Sequence, residues 1–101
     1  MNHDQLIQQF TRVKARPEGL RVECQVISWP HPHRPRSRWV KVETLPTGST
    51  AEEIGAARRL MLQDARFFGV CKMCRERKPK GWMHGERVCQ SCAAEHLGVV
   101  Y

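Results

Sequence analysis

Leu6, Ile7, Phe10 and Val13 recur at i, i+1, i+4 and i+7, the spacing that gathers apolar side chains on one face of a helix. The reading is an amphipathic helix over residues 4–15, started by Asn2 or Asp4 and ended by Pro17 and Gly19. Its apolar face either covers a core or docks on a partner, and the pattern alone leaves both open. From residue 20 to 28 the period changes to two. Leu20, Val22, Cys24 and Val26 point one way, and Arg21, Glu23 and Gln25 the other, as in a half-buried strand. Cys24 falls on the apolar side and reads as a small buried hydrophobe. A second strand is expected over 38–45, with Val40 and Val42 opposed to Trp39, Lys41 and Glu43. Trp39 either packs beneath a neighbouring element or offers a stacking surface.

Pro46-Thr47-Gly48-Ser49 is a turn, and the helical period returns after it. Thr50 and Glu53 fit a capping box, in which each side chain takes the other's backbone N–H. Ile54, Ala57, Met61, Ala65 and Phe68 form an apolar stripe, widened by Leu60 and Leu62 and ended by Gly69. Arg58, Arg59 and Arg66 are read as a solvated face, balanced by Glu52, Glu53 and Asp64. The order helix, strand, strand, helix implies an α+β fold, a small antiparallel sheet of two or three strands packed by helices. Residues 1–68 are expected to form this α-β-β-α core.

The stretch between the strands, Trp29-Pro30-His31-Pro32-His33-Arg34-Pro35-Arg36-Ser37, carries a proline at every second or third position. Such spacing argues against a regular ladder and for an extended excursion. Arg34, Arg36 and Arg38 make it basic. It reads as an arm that tracks a phosphate backbone, as a proline-rich ligand for an aromatic groove, or as a solvated loop.

The formal charge of +7 over 101 residues favours anionic partners. No apolar run approaches membrane-spanning length, and Met1-Asn2-His3-Asp4-Gln5 lacks the layout of a secretion signal. The expectation is an intracellular, reducing compartment, cytoplasmic or at the nucleoid or nucleus, where thiols bind metal rather than oxidise. This matters because Cys71-Lys72-Met73-Cys74 and Cys89-Gln90-Ser91-Cys92 stand fourteen residues apart. Two Cys-x-x-Cys knuckles at that separation are the spacing of a four-thiolate zinc site, with Cys71, Cys74, Cys89 and Cys92 as ligands. Zn²⁺ on four thiolates would bring the charge to about +5, still basic. In so short a chain the metal would also stabilise the last third, residues 69–101, packed on the core.

Within the spacer, Pro79-Lys80-Gly81 is a turn, Trp82-Met83 begins a strand, His84-Gly85-Glu86 turns, and Arg87-Val88 returns to Cys89. Residues 93–97 then read as a short helix. Knuckle, hairpin and a helix opened by the second pair make the treble-clef arrangement. The run Cys-x-x-Cys…Trp-Met-His-Gly-Glu-Arg-Val-Cys-Gln-Ser-Cys-Ala-Ala-Glu-His-Leu also resembles a GATA-type finger over residues 71–97. That resemblance implies a zinc-bound treble clef and DNA as partner. The spacer is a few residues shorter than in that family, and apolar Gly98-Val99-Val100-Tyr101 stands where a basic tail would follow. The tail is expected to tuck against the domain or to pair along an edge.

Basic residues gather on the knuckle and spacer, at Lys72, Arg75, Arg77, Lys78, Lys80 and Arg87. With Arg34, Arg36 and Arg38 they are the densest positive segments, and one shared face would form a phosphate-tracking surface. An enzymatic reading fails on chemistry. A closed four-cysteine site leaves no open coordination position, and His84 has no Asp beside it as a His-metal nuclease would require. The chain is therefore expected to be a small non-enzymatic zinc protein that binds nucleic acid through backbone contacts. The alternative is a protein-interaction module docking on a larger nucleic-acid-processing protein. Neither reading involves a membrane or a small-molecule substrate.

Overall fold

The first helix stops five residues short of its expected end. In the computed structural model, which describes residues 1–85 and 87–98, α1 spans His3–Phe10 and gives way at once to strand β1, Thr11–Arg16. Asn2 and Gln5 start the helix as a capping box, each backbone N–H meeting the other's side-chain oxygen at 2.8 Å. The chain changes period because Arg12, Lys14 and Arg16 alternate with Thr11, Val13 and Ala15. Pro17 and Glu18 then turn β1 onto β2, Gly19–His31. Gly19 makes this return feasible. It has φ +140°, and a Cβ there would stand 2.4 Å from the Leu45 carbonyl oxygen. Val13 thus faces Val22 across a ladder rather than lying on a helix.

The proline-rich stretch is the second correction. It forms the far end of a hairpin, with β2 running on to His31 and β3 spanning Arg34–Leu45. Only Pro32 and His33 lie between the strands. The ladder tolerates the prolines because each avoids a needed donor position. Pro30 sits in the irregularity between the Ser28–Arg36 and His31–Arg34 pairs, Pro32 is in the turn, and Pro35 is on an edge strand. The sheet has three antiparallel strands in the order β1-β2-β3.

Helix α2, Ala51–Met61, opens with the expected Thr50–Glu53 capping box, both bonds at 3.1 Å. It ends seven residues before Phe68. Leu62, Gln63 and Asp64 each bond three residues back, tightening the last turn. Asp64 then accepts from the Arg66 N–H and guanidinium, and its carbonyl takes the N–H groups of Phe67 and Phe68. Ala65 is left exposed, while Phe68 reaches the core from a strand.

Leu6, Phe10, Val22, Cys24, Met61, Leu62 and Phe68 form that core, with Trp82 packed against it from the last third of the chain. Phe10 meets Phe68 and Trp82 edge-on, at ring-centre distances of 6.4 and 5.2 Å. Arg58, expected on a solvated face, is half-buried and closes the end of α1. It donates to Thr11 Oγ1 at 2.7 Å and to the Ile7 carbonyl at 3.1 Å, where a cation suits the helix C-terminus. Glu23, 3% exposed, accepts from Arg12 Nε at 2.6 Å. Arg21 Nε adds an ion contact at 2.9 Å without hydrogen-bond alignment. The Arg12 guanidinium also lies 4.2 Å from the Trp39 ring centre, so Trp39 packs under charge rather than standing free. No helix among the described residues is long and apolar enough to cross a membrane. The expectation for the Val99-Val100-Tyr101 tail lies outside the described residues.

Candidate metal centre

Two small hairpins and a helix aim the four cysteines. Strand β4, Phe68–Val70, pairs with β5, Arg77–Pro79, so that Cys71 to Glu76 form the closed end of a loop. Inside it, the Cys71 N–H bonds the Glu76 carbonyl at 3.0 Å and the Arg75 N–H bonds the Cys71 carbonyl at 2.8 Å. Arg75 takes the left-handed conformation, φ 62°, which lets the chain reverse after Cys74. The N–H groups of Met73 and Cys74 point at Cys71 Sγ, at 3.4 and 3.5 Å. A Lys80–Trp82 turn of 3-10 helix leads to β6, Met83–His84, which pairs with β7, Val88–Cys89. Cys89 is then the N-cap of α3, Gln90–His96, and Cys92 lies in its first turn. The Lys72 N–H, 2.7 Å from the Arg87 carbonyl, ties the two halves together.

The result is a cluster of sulfurs that can hold a metal ion. All four Sγ atoms of Cys71, Cys74, Cys89 and Cys92 lie within 4.8 Å of one another. Cys74 and Cys89 Sγ are 3.9 Å apart. Metal–sulfur bonds of ~2.3 Å in a tetrahedron give sulfur–sulfur edges of about 3.8 Å, whereas a disulfide needs ~2.05 Å. All five cysteines are free, and Cys71, Cys89 and Cys92 are buried beside Met83 and Val88.

Protonation argues the same way. Burial pushes the Cys71 thiol up, but N–H groups of Cys74, Cys89 and Met73 outweigh it and bring it down to about 6. Cys92 is pushed up to about 12 by burial and by the neighbouring thiols. Burial and hydrogen bonding thus pull these two sulfurs apart, Cys71 toward thiolate and Cys92 toward thiol. A bound divalent ion supplies the charge that lets all four ionise. By contrast the thiol of Cys24, raised to about 12 by burial, is a core residue away from this cluster.

The basic residues divide into groups. Period two sets Arg34, Arg36 and Arg38 on the same face of β3, and each is exposed without an ion pair among the described residues. Lys72 and Arg75 flank a shallow depression with Val70 and Cys71, and the Lys72–Arg87 backbone bond brings Arg87 near. Lys80 belongs to the turn that packs on β2. Two others are engaged within the fold. Arg77 donates to the Leu62 carbonyl at 2.7 Å, closing the end of α2, and Lys78 pairs with Glu76 at 3.0 Å.

Sequence reasoning did not foresee the strap between arm and cluster. Trp29 Nε1 donates to the Gly81 carbonyl at 2.6 Å across fifty-two residues of sequence. Gly81 has no room for a side chain, since a Cβ there would lie 2.5 Å from the Ile27 carbonyl oxygen. A glycine beside a tryptophan in the spacer was the only signal, and it reads equally well as an ordinary turn. Comparison with protein-family models, with curated proteins and with solved structures finds no match for this chain.

Proposed function

We propose that this chain is a small non-enzymatic zinc protein that binds nucleic acid through the basic ribbon formed by β2 and β3. Zn²⁺ is the ion that the cage suits best. Four thiolates at tetrahedral spacing favour a borderline-soft cation without redox chemistry. The order of knuckle, hairpin and cysteine-opened helix supports a shortened treble clef, and a closed cage implies a structural role. Such a cage also suits a reducing compartment.

The observation that carries the nucleic-acid reading is the row Arg34, Arg36 and Arg38, exposed on one strand face with no carboxylate engaged among the described residues. At ~3.3 Å rise per residue, alternate positions stand about 7 Å apart, close to the separation of successive phosphates in an extended strand. Lys72, Arg75 and Arg87 would extend the contact. Affinity should fall steeply with salt, by up to about 0.7–0.9 in log K per log unit of salt for each phosphate neutralised. Anisotropy titrations of the zinc-loaded protein over a salt series test this. A flat response, or no binding at low salt, ends the proposal. Val70 and Met73, 43% and 44% exposed beside the knuckle, favour a second reading, a protein partner docked against the cage. Binding that survives nuclease treatment and is lost in Met73→Asp would support that reading.

A further inference from the structure

Where the ribbon meets the body, a cleft of about 250 Å³ opens between α1, β2, β3 and the Lys80–Trp82 turn. Phe10, Trp29 and Trp82 give it aromatic walls, Gln9 and Gln25 line it with amides, and Arg36 belongs to its rim. Building on the reading of the ribbon as a nucleic-acid arm, we propose that this cleft receives one unstacked base of a single strand. Arg36 would hold the adjoining phosphate.

Three observations lead there. The first is preorganisation. The indole N–H of Trp29 is bound to the Gly81 carbonyl, which fixes the ring while leaving it 40% exposed. Trp82 is set edge-on against Phe10, with an interplanar angle of 88°. Neither ring needs to be ordered on binding, so the entropy cost of forming a stacking platform falls on folding. The second is chemistry at the edges. The side-chain amides of Gln9 and Gln25 make no hydrogen bond among the described residues. Each offers a donor and an acceptor to the polar edge of a planar ring. The third is size and charge. Clefts for drug-sized ligands run to ~300–1,000 Å³, so this smaller one suits a single ring system. Arg36 at its rim supplies what a nucleotide's phosphate needs and what an isolated apolar ring would not.

A duplex keeps its bases stacked and would engage the arm alone. The test compares three labelled probes on the full zinc-loaded chain: a short thymidine strand, an abasic strand of equal length, and a duplex. The thymidine strand should bind about tenfold more tightly than the abasic one, within the range of a single base–aromatic stack. It should also quench tryptophan emission, as the abasic strand does not. Trp29→Ala should erase the tenfold ratio, so that the thymidine and abasic strands bind alike, whatever change both share from loss of the strap. Equal binding of thymidine and abasic strands by the wild-type chain overturns the base cleft and leaves the arm proposal standing. No binding of any probe at low salt overturns both. A proline-rich peptide that quenches the indoles while thymidine does not would assign the cleft to a protein ligand and overturn the inference.

Discussion

The cysteine cage and the β2–β3 arm are both rich in charge, yet the fold treats them in opposite ways. Around the cage, main-chain N–H groups meet Cys71 Sγ, main-chain bonds close the knuckle, and Cys71, Cys89 and Cys92 are shielded. Along the arm, every side chain from residue 28 to 38 is exposed, and the arginines have no partner carboxylate among the described residues. Polar groups that are buried and satisfied hold structure together. Polar groups left exposed and like-charged contribute little to it and remain available to a ligand. The comparison separates what stabilises this protein from what it offers to others.

The sharpest way to break the comparison is to remove a sulfur. Cys71→Ser or Cys92→Ser should abolish stoichiometric metal and unfold residues 69–98. Structural zinc sites carry apparent binding energies of ~10–16 kcal/mol, so the loss should exceed every other change considered. Metal analysis alongside amide exchange checks it, and a metal-free variant with full protection would contradict the structural role. Next in size is Gly81→Ala, which forces a methyl group against Ile27. Overpacking of this kind costs about 1–3 kcal/mol, and here it should also raise tryptophan mobility as the strap opens.

Glu23 tests the buried polar side of the comparison at a third site. The hydrogen bond from Arg12 holds its carboxyl below the ordinary value of 4.5, outweighing the opposing effect of burial. The stabilisation is thus fully present above pH 4.5 and lost as pH falls through the lower, folded-state value. Glu23→Gln should cost about 1–2 kcal/mol at neutral pH and flatten the acid limb of the melting profile. The smallest effect on stability belongs to the arm. Replacing Arg34, Arg36 and Arg38 together by Ala should shift stability by no more than about 0.5 kcal/mol per site. The same change should reduce the salt slope of nucleic-acid binding by about two to three units.

How much of this was legible in the sequence follows the same division. The cage was readable because metal ligation imposes a spacing, and Cys-x-x-Cys twice over has few other uses. The Thr50 capping box was readable because it is local. The helix expected over residues 4–15 ran on too far because Val13 fits both a helical face and a strand alternation. The Pro17-Glu18-Gly19 turn, followed by a strand ready to pair, decided between them. The helix begun at Thr50 ended early because Asp64 competes for the backbone as a turn former, a preference that the apolar stripe through Ala65 and Phe68 conceals. The proline-rich arm was misread as unpaired because proline removes a donor only where the ladder needs one. At an irregularity, a turn and an edge the loss costs nothing. The aromatic cleft was not legible at all, since Phe10, Trp29 and Trp82 meet only in three dimensions.

The strap from Trp29 to Gly81 makes the metal and the arm two corners of one thermodynamic cycle. Gly81 lies between the two cysteine pairs, so an ion held by them would be linked to the arm's posture through this bond. Whatever factor the ion adds to the arm's affinity for a ligand, that ligand must add to the protein's affinity for the ion. If the ion strengthens the arm's proposed binding, removing the ion would weaken that binding, and a bound ligand would slow the ion's loss.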